Sequence, residues 1–157
     1  MTKRLAIVAL FSLAATLAFA SFTAVTLRAS SPVTSGGTGD WIAVPAGSQI
    51  SVLVDITAYT GTITAFDLWC QATNDSTDAN GWDVPADSVL QSKLDGSGTT
   101  GTLTGPIRDI IDGAAIAGTA RAYAVYKSWP AKYIRVRHQL AGSSTPSVTY
   151  GAVAGVK

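Results

Sequence analysis

The stretch KYIRVRHQLAGSSTPSVTYGAVAGVK, Lys132–Lys157, decides how this chain is read. Its first part alternates Ile134, Val136, His138 and Leu140 with Tyr133, Arg135, Arg137 and Gln139. Its last part places Val148, Tyr150 and Ala152 on one side. A period of two marks a β-strand with one covered face. Between the two runs stands Gly142-Ser143-Ser144-Thr145-Pro146, residue types that favour turns. The stretch therefore reads as a closing β-hairpin. Ile134, Val136, His138 and Leu140 would face a core, leaving Tyr133, Arg135 and Arg137 to meet a neighbour.

The same pattern recurs upstream. Ile50, Val52, Val54 and Ile56 alternate with Ser51, Leu53, Asp55 and Thr57, and Tyr59-Thr60-Gly61-Thr62 interrupts the run. Phe66, Leu68 and Cys70 then alternate with Asp67, Trp69 and Gln71, and these two predicted strands are expected to pair as antiparallel neighbours. Asn80-Gly81 is a tight-turn signal, Lys93–Pro106 reads as a Gly/Thr-rich loop, and Ile107–Gly118 as a short strand or one helical turn. Ala120, Ala122, Ala124 and Tyr126 make a further covered face, joined to the closing stretch through Trp129-Pro130-Ala131. About seven or eight short strands with Gly/Pro turns between them predict an all-β chain, an antiparallel β-sandwich or jelly-roll-like domain over residues 41–157.

Composition agrees with that class. The chain has 157 residues, 47% hydrophobic and 13% charged, which suits one domain and excludes a disordered polyampholyte. All ten acidic residues are Asp; against 11 basic residues they leave a net charge of +1, too small a field for nucleic acid as a partner. The single Cys70 has no internal partner for a disulfide and, among strand residues, reads as a buried inert thiol.

Residues 1–28 form a hydrophobic N-terminal segment with three readings. Lys3-Arg4, an apolar run from Leu5, and Ala18-Phe19-Ala20 before Ser21 fit a secretory signal peptide. The uncharged span 5–27 is also long enough to cross a bilayer as a membrane anchor. A hydrophobic helix or arm buried among subunits of an assembly is the third. Residues 29–40, rich in Ser, Thr and Gly, read as a flexible linker to the folded part.

The order of these motifs resembles a β-sandwich domain of tailed-bacteriophage virion proteins of the head, neck and tail. The elements that carry the resemblance are Asp55-Ile56-Thr57, Gly61-Thr62, Gln71, Asp75 with Trp82, Tyr133-Ile134-Arg135-Val136, and Gly142 to Ser147. Together they span about two thirds of the chain. The resemblance implies a capsid decoration or head/tail accessory subunit, a non-enzymatic homo-oligomer whose partners are other virion subunits.

Side-chain chemistry points the same way. One His, one Cys and no Glu leave little for catalysis, no Gly-x-Ser-x-Gly elbow is present, and neither a catalytic residue nor a cofactor is expected. Asp75, Asp78, Asn80 and Asp83 supply hard oxygens for a candidate Ca²⁺ site, but an EF-hand register would put Ser76 at its first position and Asp87 at its last. Asx turns in a solvated loop account for them better. Trp69, Tyr133, Arg135 and Arg137 are the expected interface residues, an arginine–aromatic strip of the kind that anchors contacts. Because Trp41, Trp69, Trp82 and Trp129 offer faces for sugar stacking, the alternative is an exported, periplasmic or membrane-anchored bacterial module that binds a glycan or a cell-surface partner.

Overall fold

The computed structural model describes residues 22–92, 100–113 and 115–157; the predicted signal, anchor or arm, up to residue 21, lies outside the described residues. Among the described residues ten strands follow one another: β1 (Thr23–Val33), β2 (Gly37–Thr38), β3 (Ile42–Ala43), β4 (Ile50–Thr73), β5 (Trp82–Asp83), β6 (Ala86–Ser92), β7 (Thr100–Ile107), β8 (Asp109–Ile111), β9 (Ala120–Tyr126) and β10 (Tyr133–Val156). Every ladder is antiparallel. The sheet order is β1-β10-β4-β9-β6-β7, with β2 and β3 added on β10 and β5 and β8 on β4. The all-β prediction holds, and no helix occurs among the described residues.

Among the described residues neither the expected pairing of 50–57 with 63–71 nor the expected closing hairpin is formed. The runs 50–57 and 63–71 do not pair with each other but are two arms of the 24-residue β4. The closing stretch is likewise one 24-residue strand, β10, paired with β4 from Tyr133↔Thr73 to Val156↔Ile50. The turn residues are used, but as a bulge: the register jumps between Ser143 and Ser147, so Ser144, Thr145 and Pro146 bulge out opposite Gly61. Ser144 (φ 58°), Thr145 (φ 54°) and Gly61 (φ 70°) all lie in the left-handed region. The local turn chemistry is as the sequence indicates, but the strand resumes on the same neighbour.

What the bulge does is fold the β4–β10 pair back on itself. His138 and Tyr150 lie twelve residues apart on one strand, which if straight would separate them by roughly 40 Å. Instead Tyr150 Oη sits 2.9 Å from His138 Nδ1, and Phe66 on β4 packs edge-on against Tyr150 with ring centroids 5.5 Å apart. The apolar faces of the two arms thus share one core. Ile50, Val52, Val54 and Ile56 of one arm and Phe66, Leu68, Cys70, Ile134 and Val136 of the other are almost wholly buried in it, on the faces that alternation predicts.

Two boundaries need correction. Residues 29–33, expected as linker, belong to β1, whose pairing with β10 includes Thr23↔Val156, so the fold takes in residues well before Trp41. The strand escapes a period-two search because two register shifts, at Thr26/Arg28 and Arg28/Ser31, break its alternation. As an edge strand it also tolerates Ser, Thr and Pro32. Leu27 is buried in the core, so a bilayer span over 5–27 would have to unpick this strand. The other boundary is the predicted loop Lys93–Pro106, whose residues from Thr100 onward are part of β7.

Candidate interaction surface

Arg135 and Trp69 are the predicted interface residues that the structure places elsewhere, since both are buried within the chain. Alternation does put Arg135 on the face away from the main core, but the loop after β4 folds over it. Its guanidinium donates through Nε and Nη2 to Gln71 Oε1 (3.0 and 2.8 Å) and through Nη2 to the carbonyls of Ala79 (2.8 Å) and Asn80 (3.0 Å). Its plane lies over the Trp41 ring at 4.0 Å, and Trp41 Nε1 in turn donates to Asp78 O at 2.7 Å. Burial first, then the Arg137 charge, draws the Arg135 pKa below the usual guanidinium value, while Asp78 opposes. Arg135 therefore fastens the 74–81 loop. Arg135→Ala is expected to cost about 2 kcal/mol in urea denaturation by leaving buried oxygens unpartnered. Arg135→Lys should recover little, because one ammonium does not span the fork.

Around this hub the other face of the arm is built from arginine and tryptophan. Trp69 Nε1 and Gln71 Nε2 both donate to Asp83 Oδ1, at 2.8 and 2.9 Å. Arg108 lies over the Trp69 ring at 5.0 Å and Arg137 at 5.5 Å. Arg108 is also paired with Asp109 at 2.7 Å, its side chain 54% exposed. Tyr133 and Arg137 are half-buried, so of the four predicted residues these two remain at the surface, with Arg108 as a member that sequence reasoning missed. Nothing local marks Arg108: only the short β8 pairing, Trp69↔Asp109, brings it to Trp69.

Asp75 and Asp78 are consumed by turns. Asp75 Oδ1 accepts from Thr77 N (2.9 Å) and Thr77 Oγ1 (2.7 Å). Asp78 accepts from Asn80 N (2.8 Å), Gly81 N (3.1 Å) and Thr73 Oγ1 (3.2 Å). These backbone bonds hold both carboxyls below their usual pKa. Asp83 points to Trp69 and Gln71 instead, so Asp75, Asp78, Asn80 and Asp83 do not converge, and no group of three or more metal-ligating side chains occurs among the described residues. Of the Asn80-Gly81 pair, only Gly81 takes positive φ, 58°.

His138 and Cys70 are both buried. Burial lowers the His138 pKa from 6.5 to about 4, with the Arg28 charge adding to it, so the ring is neutral at neutral pH and Tyr150 can donate to Nδ1. Burial pushes the Cys70 thiol up to about 12, far from a nucleophile's range. The tryptophan platform is likewise spent: Trp129 is fully buried, Trp69 is buried between guanidiniums and Trp41 is stacked under Arg135. Among the described residues Trp82 alone of the four is exposed.

A second surface lies on the outside of the other arm, where Val153, Leu53, Tyr123 and Leu90 stand in register across β10, β4, β9 and β6. Each is about 40% exposed. The signal was present in the sequence, since Leu53 and Tyr123 are large apolar residues at positions whose phase points away from the core.

No protein-family model matches this chain, and no curated protein does. Among solved structures it is similar to one titled "Crystal structure of SPBc2 prophage-derived protein YomS", with 15% identity, 87% of this chain and 94% of the other covered, and a TM-score of 0.31. A likeness at that level carries no argument about what this chain does.

Proposed function

We propose that the chain is a non-enzymatic structural subunit of a tailed-phage virion, a decoration or head/tail accessory protein working through contacts with other subunits. In this reading the folded-back sheet is the β-sandwich that the motif order resembles. The observation that carries it is the Arg108–Trp69–Arg137 stack, which presents two guanidiniums on a fixed aromatic. Arg and Trp dominate the strong points of protein contacts, and a stacked guanidinium loses little freedom on binding. Asp109, Asp83 and Asp67 lie close enough to raise the Arg108 pKa, Asp109 most of all, so the cluster is nearly charge-balanced and suits a protein surface better than a phosphate backbone.

The test is made on particles. The chain should co-purify with virions, with an intact mass that starts at Met1 or Thr2. A mass that starts at Ser21, in a secreted fraction free of particles, would overturn the reading in favour of export. The double variant Arg108→Ala, Arg137→Ala should stay within about 1 kcal/mol of the parent in stability, since both sites are at the surface. Its incorporation into particles should fall at least about tenfold. Undiminished incorporation would show that the stack is not the contact.

A further inference from the structure

We propose that the outer face of the β10–β4–β9–β6 sheet is an isologous dimer interface that seats a second copy of this chain. This is a different surface from the arginine–tryptophan stack, and the inference does not depend on a virion role. Three rows cross the four strands: Gly155–Ser51–Val125–Ser88, Val153–Leu53–Tyr123–Leu90 and Gly151–Asp55–Arg121–Ser92. The middle row is an exposed apolar bar. Phe22, 56% exposed, extends the apolar surface, because its ring lies against Gly155. Of the seven large hydrophobic residues that are exposed among the described residues, five are therefore on this one face. Outward sheet positions in a solvated protein are normally polar, and clustering of this kind marks a contact surface.

The layout of charge favours a second copy as the occupant. The three rows hold one acid and one base, Asp55 on β4 and Arg121 on β9, directly opposite each other and bridged at 3.2 Å. A two-fold axis parallel to the strands and midway between β4 and β9 lays each β4 over the other copy's β9. It then sets Leu53 of one copy against Tyr123 of the other, Val153 against Leu90, and Asp55 against Arg121, with every contact made twice. Opposite charge meets opposite charge and apolar meets apolar, as a self-complementary interface requires. Strands kept nearly parallel across the interface are also the usual way two twisted sheets pack. The four strands at about 4.8 Å spacing and six residues at about 3.3 Å give a face of roughly 14 by 20 Å. Pairing two such faces buries on the order of 600 Å², the size of a weak, concentration-dependent contact.

The experiment measures the mass of the full chain in solution by sedimentation equilibrium. The parent is expected to be a dimer, and Leu53→Asp, which changes an exposed position at the centre of the bar, should raise the dimer Kd at least about tenfold with an unchanged thermal transition of the monomer. Two further variants separate the interface from the bridge within one copy. D55R alone and R121D alone should each be monomeric, because the dyad opposes like charges. An equimolar mixture of the two should form a heterodimer, since each face then meets its complement. A parent that stays monomeric at tenth-millimolar concentration overturns the proposal. So does a dimer that L53D leaves intact, or a mixture of the charge variants that fails to associate.

Discussion

Replacing Gly142 by alanine is expected to abolish the fold or cost about 4 kcal/mol or more in urea denaturation. A Cβ at this position would sit 2.1 Å from the Thr62 carbonyl oxygen and 2.8 Å from Pro146 Cβ. The first obstacle is backbone of the paired strand and cannot swing aside as a side chain would. Gly142 lies where β10 enters the bulge, so the substitution forces apart the two strands that carry both arms of the core. Gly61→Ala should act similarly, because its Cβ would meet Ser144 O at 2.6 Å while φ stands at +70°. Gly47→Ala is the control: φ is +83° but nothing lies within 4 Å, so the cost should be that of backbone conformation alone, about 1 kcal/mol. Equal losses at Gly47 and Gly142 would mean that the close approach at the bulge does not hold the fold-back.

Stability should fall steeply with acid through His138. The folded pKa is depressed from 6.5 to about 4, chiefly by burial, so between those values the unfolded chain binds a proton that the folded chain refuses. Stability therefore rises with pH in this window: the contribution is intact above pH 6.5, declines as pH falls, and is fully lost below pH 4. The interval corresponds to about 3 kcal/mol. Asp75 and Asp78, whose carboxyls are held low by turn N–H groups, slope the same way at lower pH, whereas Asp109, raised by burial, slopes the other way. Denaturation at a series of pH values checks the sum, and His138→Asn isolates the imidazole. If the variant keeps the parent's slope between pH 6.5 and 4, His138 is not its source.

The two effects meet in one place. The fold-back that brings His138 against Tyr150 encloses it in the core, where burial keeps the imidazole neutral.

Much of this architecture is legible in the residues. Period-two alternation locates the inward positions of β4, β9 and β10 correctly, because a pleated strand sends neighbours to opposite faces whatever it pairs with. A break in the strand is legible at Gly61 and in the Gly142–Pro146 segment from their turn residues, and Gly61 takes the left-handed backbone that glycine permits; that Ser144 and Thr145 are left-handed as well is not legible, since neither residue type favours positive φ. The buried state of Cys70 and His138 follows from their phase in the strands. Exposure at the expected interface positions is less legible. The outward phase of Trp69 and Arg135 is correct, but the 74–81 loop and β8 return over that face and bury both. Phase reports which side of a strand a residue takes, not what later chain covers that side.

By itself, then, the sequence determines an all-β antiparallel chain, the inward residues of its long strands, and turns made of Asx bonds in the acidic loop. Tertiary structure alone decides that the segments rich in turn residues are a bulge rather than a hairpin. A left-handed kink fits either, and the choice rests on whether the chain beyond it finds its own arm or the same neighbour. It also decides that Ser/Thr-rich residues 29–33 are an edge strand, because β10 supplies the hydrogen-bond partners that a local reading of that tract lacks.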